Sequence, residues 1–157
     1  MIDQIYTYFT IEMIFMWLNL GVLPFWLILM IFPQSQICRI FITSIFPIFI
    51  LSLIYAYLLY LFFNEGYDFT INFDLYRGLY AVSNLFSYKP FLILFWLHFL
   101  SMNLFCGGWI VKDSQKFGIN KILIFFPLLI TYFIGPIGLT LYWIIRVFYA
   151  KRINLYD

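Results

Sequence analysis

FLILFWLHFLSMNLFCGGWIV, residues 91–111, runs for 21 positions without a charged side chain. About 20 such residues in a helix cross the roughly 30 Å of hydrocarbon in a bilayer. Lipid offers no partner to backbone N–H and C=O groups, so a crossing segment must be helical. The stretch nevertheless carries His98, Ser101, Asn103 and the pair Gly107-Gly108. Its apolarity sets the fold class, and its polar and small residues are where chemistry is sought.

The rest of the chain matches this stretch. Of 157 residues, 65% are hydrophobic and 10% charged, against about 25% charged in a soluble domain. Mean hydropathy is +0.96. So few charges cannot cover a soluble core of this size, which makes the bilayer the natural solvent. Length fits one domain, residues 1–157. Aromatic residues reach 25% while Ala occurs at only three positions. That pattern reads as a background substitution of Phe, Ile and Tyr for smaller residues, not as an aromatic cage.

Four apolar segments are expected to span: residues 9–32, 37–63, 91–111 and 119–149. Residues 33–36 and 112–118 are short connections, and residues 64–90 form a long one holding three of the seven acids. The expectation is an all-α polytopic membrane protein, four helices in an antiparallel bundle. The first span follows an N-terminus without a basic region and is expected to remain uncleaved. Leu75, Leu79, Val82 and Phe86 recur at helical spacing, so a short amphipathic helix is expected over residues 74–87, with Asp74 as a candidate cap. It lies at the membrane interface or packs over the bundle end.

Gly135, Pro136 and Gly138 stand inside the fourth segment. Pro removes a backbone donor and Gly packs nothing, so a kink is expected there. With four spans, both termini and the long loop share one side. That side holds five basic residues and the other four, which leaves orientation open.

Several functions are excluded. Without a basic run, nucleic acid is not an expected partner. Cys38 and Cys106 have neither metal-type nor disulfide-framework spacing, and read as buried small hydrophobes. No phosphate-binding, dinucleotide-binding, zinc-protease or hydrolase motif occurs. A single His, with no carboxylate in the core of its span, gives no metal site, and no cofactor is expected. Few intramembrane charges leave a transporter without a coupling-ion site.

His98 is the titratable group inside an apolar span, hence a candidate catalytic residue. Its structural counterpart is a neutral ring satisfied by one hydrogen bond across the bundle. Asn103, five residues on, points about 140° away. Asn103 stacks over Gly107, and Ser101 over Gly108. With Gly135, Pro136 and Gly138 these are expected to serve helix packing, where small residues let backbones approach.

The ordered pattern Trp96-Leu97-His98, Leu100, Asn103-Leu104-Phe105, Gly107 and Trp109 is followed by Asp113, Gly118-Ile119, Pro127 and Thr131. Gly135 to Leu139, Tyr142 and Arg146 then complete it. Asn19, Pro24, Trp26 and the Phe32-Pro33 turn precede it. The whole resembles the abscisic-acid-deficient-4-like family, named for a plant protein needed to make neoxanthin. The resemblance implies a four-span membrane protein linked to carotenoid conversion, with His98 and Asn103 at the catalytic position. It further implies Asn19, Trp26, Trp109 and Tyr142 as substrate-binding candidates. The family pattern has Asp and Arg where this chain has Asn103 and Gly108. Losing both together removes a pair without stranding either charge, and also removes the carboxylate.

Two functions follow from the resemblance. One is a cofactor-free isomerase of a carotenoid or other isoprenoid, moving protons through His98. The other is a non-catalytic membrane subunit that binds pigment or lipid for a partner protein. The expected location is the bacterial inner membrane.

Overall fold

The computed structural model describes residues 10–151 and residue 153. Among them all regular structure is helical. We label the α-helices α1 (Ile11–Ile31), α2 (Phe46–Asn64), α3 (Leu79–Leu85), α4 (Lys89–Lys116), α5 (Lys121–Phe133) and α6 (Gly135–Ala150). A π-helical turn, Cys38–Ile42, precedes α2, and a 3₁₀ helix, Phe69–Tyr76, precedes α3. Three helices, α1, α2 and α4, are long and apolar enough to cross a membrane. The described residues gather into two compact units, one drawn from residues 10–21 and 50–100 and the other from residues 22–49 and 101–151.

In the first unit the buried side chains follow helical spacing. Ile14 and Leu18 come from α1, Leu51, Leu58 and Phe62 from α2, and Ile93, Leu94 and Leu97 from α4. Asn19 accepts from Trp96 Nε1 at 3.2 Å and donates to the Phe15 carbonyl at 2.7 Å, so both ends of the amide are satisfied. Lys89 and Glu12 pair at 2.7 Å, both exposed.

The helix expected over residues 74–87 is divided. Gly78, at φ 122°, separates the 3₁₀ helix from α3 in a conformation that favours glycine. The cap is Asp68 rather than Asp74. Its carboxylate accepts from the Thr70 N–H at 2.9 Å and the Thr70 hydroxyl at 2.7 Å, which holds its pKa below the usual value. Asp74 instead sits inside the 3₁₀ helix and pairs with Arg77 at 3.0 Å.

In the second unit the fourth apolar segment is two helices, not one span. Ile134 leaves the helical region at φ −140°, ψ 80°, and Pro136 starts α6 without an N–H to continue α5. A Cβ at Gly138 would stand 2.6 Å from the Pro127 carbonyl oxygen and would overlap Thr131. Pro127 and Gly138 would be about 16 Å apart along a straight helix, so α6 folds back on α5. Asn103 donates to the Tyr132 carbonyl at 3.5 Å beside the reversal, while Tyr142 and Arg146 reach Asp113, ten residues further along α4. α6 thus runs alongside α4 in the same direction. Its C-terminal end returns to the end of the unit where Gln115 donates to the Pro33 carbonyl at 2.7 Å.

The 13 residues of α5 extend about 20 Å, short of a bilayer crossing. The expected kink near Gly135 is therefore a reversal. A glycine facing a helix allows its backbone to lie directly on the preceding helix, which bulkier side chains would prevent.

This arrangement predicts that Lys151→Cys labels from the same membrane face as Gln36→Cys and Gln115→Cys. The measurement is impermeant-thiol labelling with Cys38 and Cys106 replaced by Ala. Labelling of Lys151→Cys from the opposite face would restore a fourth crossing.

Candidate functional site: a buried polar centre beside an apolar groove

The second unit buries a carboxylate and a guanidinium together. Asp113 is 9% exposed, Arg146 2% and Tyr142 0%. Tyr142 and Arg146, four residues apart, share one face of α6. The Tyr142 hydroxyl and Arg146 Nε both donate to Asp113 Oδ2, each at 2.7 Å. The guanidinium carbon lies 4.8 Å from the centre of the Phe117 ring, a cation–π contact. Trp109, one turn before Asp113, meets Tyr142 edge-on at 5.7 Å.

Withdrawing each ion from water costs several kcal/mol, and only close, charge-assisted bonds offset that. Here both charges meet that condition. The cluster fastens α6 to α4 near the polar end of the unit.

A second cluster surrounds the reversal. Trp26 is buried and meets Tyr132 edge-on at 5.4 Å. A Cβ at Gly107 would stand 2.8 and 2.9 Å from Trp26 Cη2 and Cζ3 and 3.3 Å from Leu29. A Cβ at Gly135 would overlap the Asn103 amide oxygen. Asn103 is thus a buried plug whose two amide atoms face the reversal. Pro136 is exposed at the start of α6, and Ser101 is half-buried on α4.

The sequence candidates are therefore distributed. Trp26, Asn103, Gly107 and Gly135 come together, as do Trp109 and Tyr142. Asn19 is paired with Trp96 in the first unit. His98 lies on an exposed face of α4, with no hydrogen-bond partner among the described residues. Asp113 and Arg146 stand in the family pattern, but the sequence assigned neither of them a role in the site. Their signal was a lone acid at the end of one apolar run and a lone base within another, the base one turn from a tyrosine.

Gly108 differs from Gly107. Its nearest neighbour for an added Cβ is the Ile42 carbonyl at 3.8 Å, an ordinary contact. It opens on a groove of about 450 Å³ between the Ile42–Ile48 bend and the α4 face from Leu104 to Lys112. The groove is walled by Ile45, Ile48, Phe105 and Trp109, with Thr43, Ser44 and Lys112 as its polar members. Thr43 and Ser44 donate to backbone carbonyls of Arg39 and Phe41, at 3.2 and 2.8 Å. Its volume falls in the range of small-molecule sites, about 300–1,000 Å³.

Three helices long and apolar enough to cross a membrane place the chain in the class of helical membrane proteins. The sequence model of the ABA DEFICIENT 4-like family matches residues 13–142, and the chain belongs to that family. No curated protein and no solved structure matches it.

Two stability predictions follow from this geometry. Arg146→Met alone should cost about 3–5 kcal/mol by stranding Asp113, whereas Arg146→Met with Asp113→Leu should recover most of that loss. Denaturant unfolding in detergent measures both, and additive losses would deny the coupling. Gly107→Leu should destabilise by about 1–3 kcal/mol against the buried Trp26 ring. Gly108→Leu should leave the melting midpoint near that of the parent.

Proposed function

We propose that this protein holds a carotenoid or related isoprenoid against the α4 face of its second unit, acting as a non-catalytic binding subunit for a partner protein in the bacterial inner membrane. The groove beside Gly108 carries this reading. Its walls are Ile, Phe and Trp side chains, which suit a branched, unsaturated hydrocarbon, and its few polar groups fit one terminal oxygen function. The nearby carboxylate is already engaged by Tyr142 and Arg146, and Gly108 leaves space that a longer side chain would occupy.

A second reading, the isomerase, rests on Trp109. Its ring both lines the groove and touches Tyr142, whose hydroxyl is bonded to Asp113. One indole thus separates a bound isoprenoid from a proton donor, and general acid–base catalysis contributes about 10²–10⁴ in rate. His98, on its exposed face, belongs to this reading only as a group reached from lipid.

The test is expression in a carotenoid-producing host, with isoprenoids extracted from the purified protein and their isomers resolved by chromatography. Bound isoprenoid is expected from the parent, with several-fold less from Gly108→Phe, whose ring fills the groove, and an unchanged isomer ratio in the membranes. Equal retention by Gly108→Phe would remove the groove from the proposal. A new isomer that Tyr142→Phe abolishes, with binding retained, would replace the binding subunit by the enzyme. No retained isoprenoid would overturn both readings.

A further inference from the structure

A second recess of the second unit lies at the end of α4, between the Pro33 turn and the α4–α5 connection, and has a volume of about 730 Å³. Gln34, Arg39, Gln115, Gly118, Asn120 and Lys121 line it. Two of these are cations, three are amides, and none is an acid. Arg39 and Lys121 are exposed, and neither forms an ion pair among the described residues. The acid nearest in sequence, Asp113, is buried against Arg146 and offers them nothing.

The walls are fixed rather than loose. Gln115 Nε2 donates to the Pro33 carbonyl at 2.7 Å, and Asn120 Oδ1 accepts from the Ile122 N–H at 3.0 Å. Ser35 Oγ accepts from the Cys38 N–H at 3.1 Å, and Gly118 turns the chain at φ 62°. With Asn120 Oδ1 committed to the cap, its amide N–H groups remain as donors beside the two cations. Donors and positive charge without a carboxylate form a receptor for an anion.

The surroundings identify which anion. The recess sits at the ends of α1 and α4, helices of membrane-crossing length, so it lies at headgroup level. Ile37, Ile40 and Ile122 are exposed by 58%, 52% and 66%, giving apolar surface beside the charged recess. Lys112 stands in the last turns of α4, and the fold-back of α6 brings Lys151 to this same end. Amphiphiles with an anionic head and acyl tails match both features.

We propose that the Arg39–Lys121 recess binds the headgroup phosphate of an anionic phospholipid, seating this end of the protein in the anionic leaflet. With α6 folded back, Lys151 joins Arg39, Lys112, Lys116 and Lys121 at this end, and by the positive-inside relation that leaflet is then the cytoplasmic one. This site is separate from the isoprenoid groove and does not depend on it.

Native mass spectrometry of the purified full chain in neutral detergent tests the proposal. Phosphatidylglycerol and phosphatidylcholine of identical acyl chains are titrated in parallel, with inorganic phosphate as a third arm. Phosphatidylglycerol should be retained about tenfold or more over phosphatidylcholine, and Arg39→Gln with Lys121→Gln should erase that preference. Lys89→Gln, in the first unit, should preserve it. Both variants alter exposed side chains, and an unchanged melting midpoint without added lipid verifies their folding. Equal retention of the two lipids, or an unchanged preference in the Arg39 and Lys121 double variant, overturns the proposal. Displacement of phosphatidylglycerol by an equal concentration of inorganic phosphate would also overturn it, in favour of a free anion.

Discussion

One carboxylate and one guanidinium, removed from water together, organise the C-terminal part of this protein. Neither Asp113 nor Arg146 could be buried alone, because the isolated charge would cost more than a small bundle can supply. Buried as a pair, they require the last turns of α4 and α6 to lie side by side. Tyr142 and Phe117 complete the enclosure by a hydrogen bond and a cation–π contact. For α6 to arrive there, α5 must first turn back, and the reversal at Ile134 is the consequence.

Apolar burial gives no direction in lipid, since one aliphatic surface serves as well as another. Close approach and polar contacts supply it instead. Gly138 lets α6 lie on α5, Gly107 receives the Trp26 ring, and the Asn103 amide sits over Gly135. These contacts form a chain of small residues facing large or polar ones. Gly108 stands outside it and opens on the apolar groove. Two adjacent glycines thus have opposite uses, one filled by a neighbour and one left open, because consecutive residues point about 100° apart around the helix and so meet different neighbours.

The three long helices were legible from apolar length alone, since about 20 uncharged residues in lipid have one backbone solution. Their ends differ from the expected ones: α2 begins at Phe46, nine residues after the expected start at Ile37, because the π-helical turn Cys38–Ile42 and the bend after it interrupt the segment, and α4 runs on to Lys116. The first begins at Ile11, and Phe9 of the expected span lies outside the described residues. The connection between α2 and α3 was legible as helical but not in its breaks, because Gly78 requires a positive φ that a hydrophobic pattern does not register. The polar centre was harder. Asp113 and Arg146 are 33 residues apart, on segments whose relative direction follows from the reversal, and a hydropathy profile treats a kink and a reversal alike.

From its own residues the sequence determined a helical, lipid-solvated chain and the family to which it belongs, because apolar run length and ordered motifs are properties of the chain alone. It also placed a break at Gly135-Pro136, where backbone chemistry is local. Only the tertiary structure decided that this break is a reversal, that Asp113 and Arg146 are partners, and that Gly107 is closed while Gly108 is open. Those outcomes depend on what the opposing helix presents at each level, and a linear pattern does not contain that.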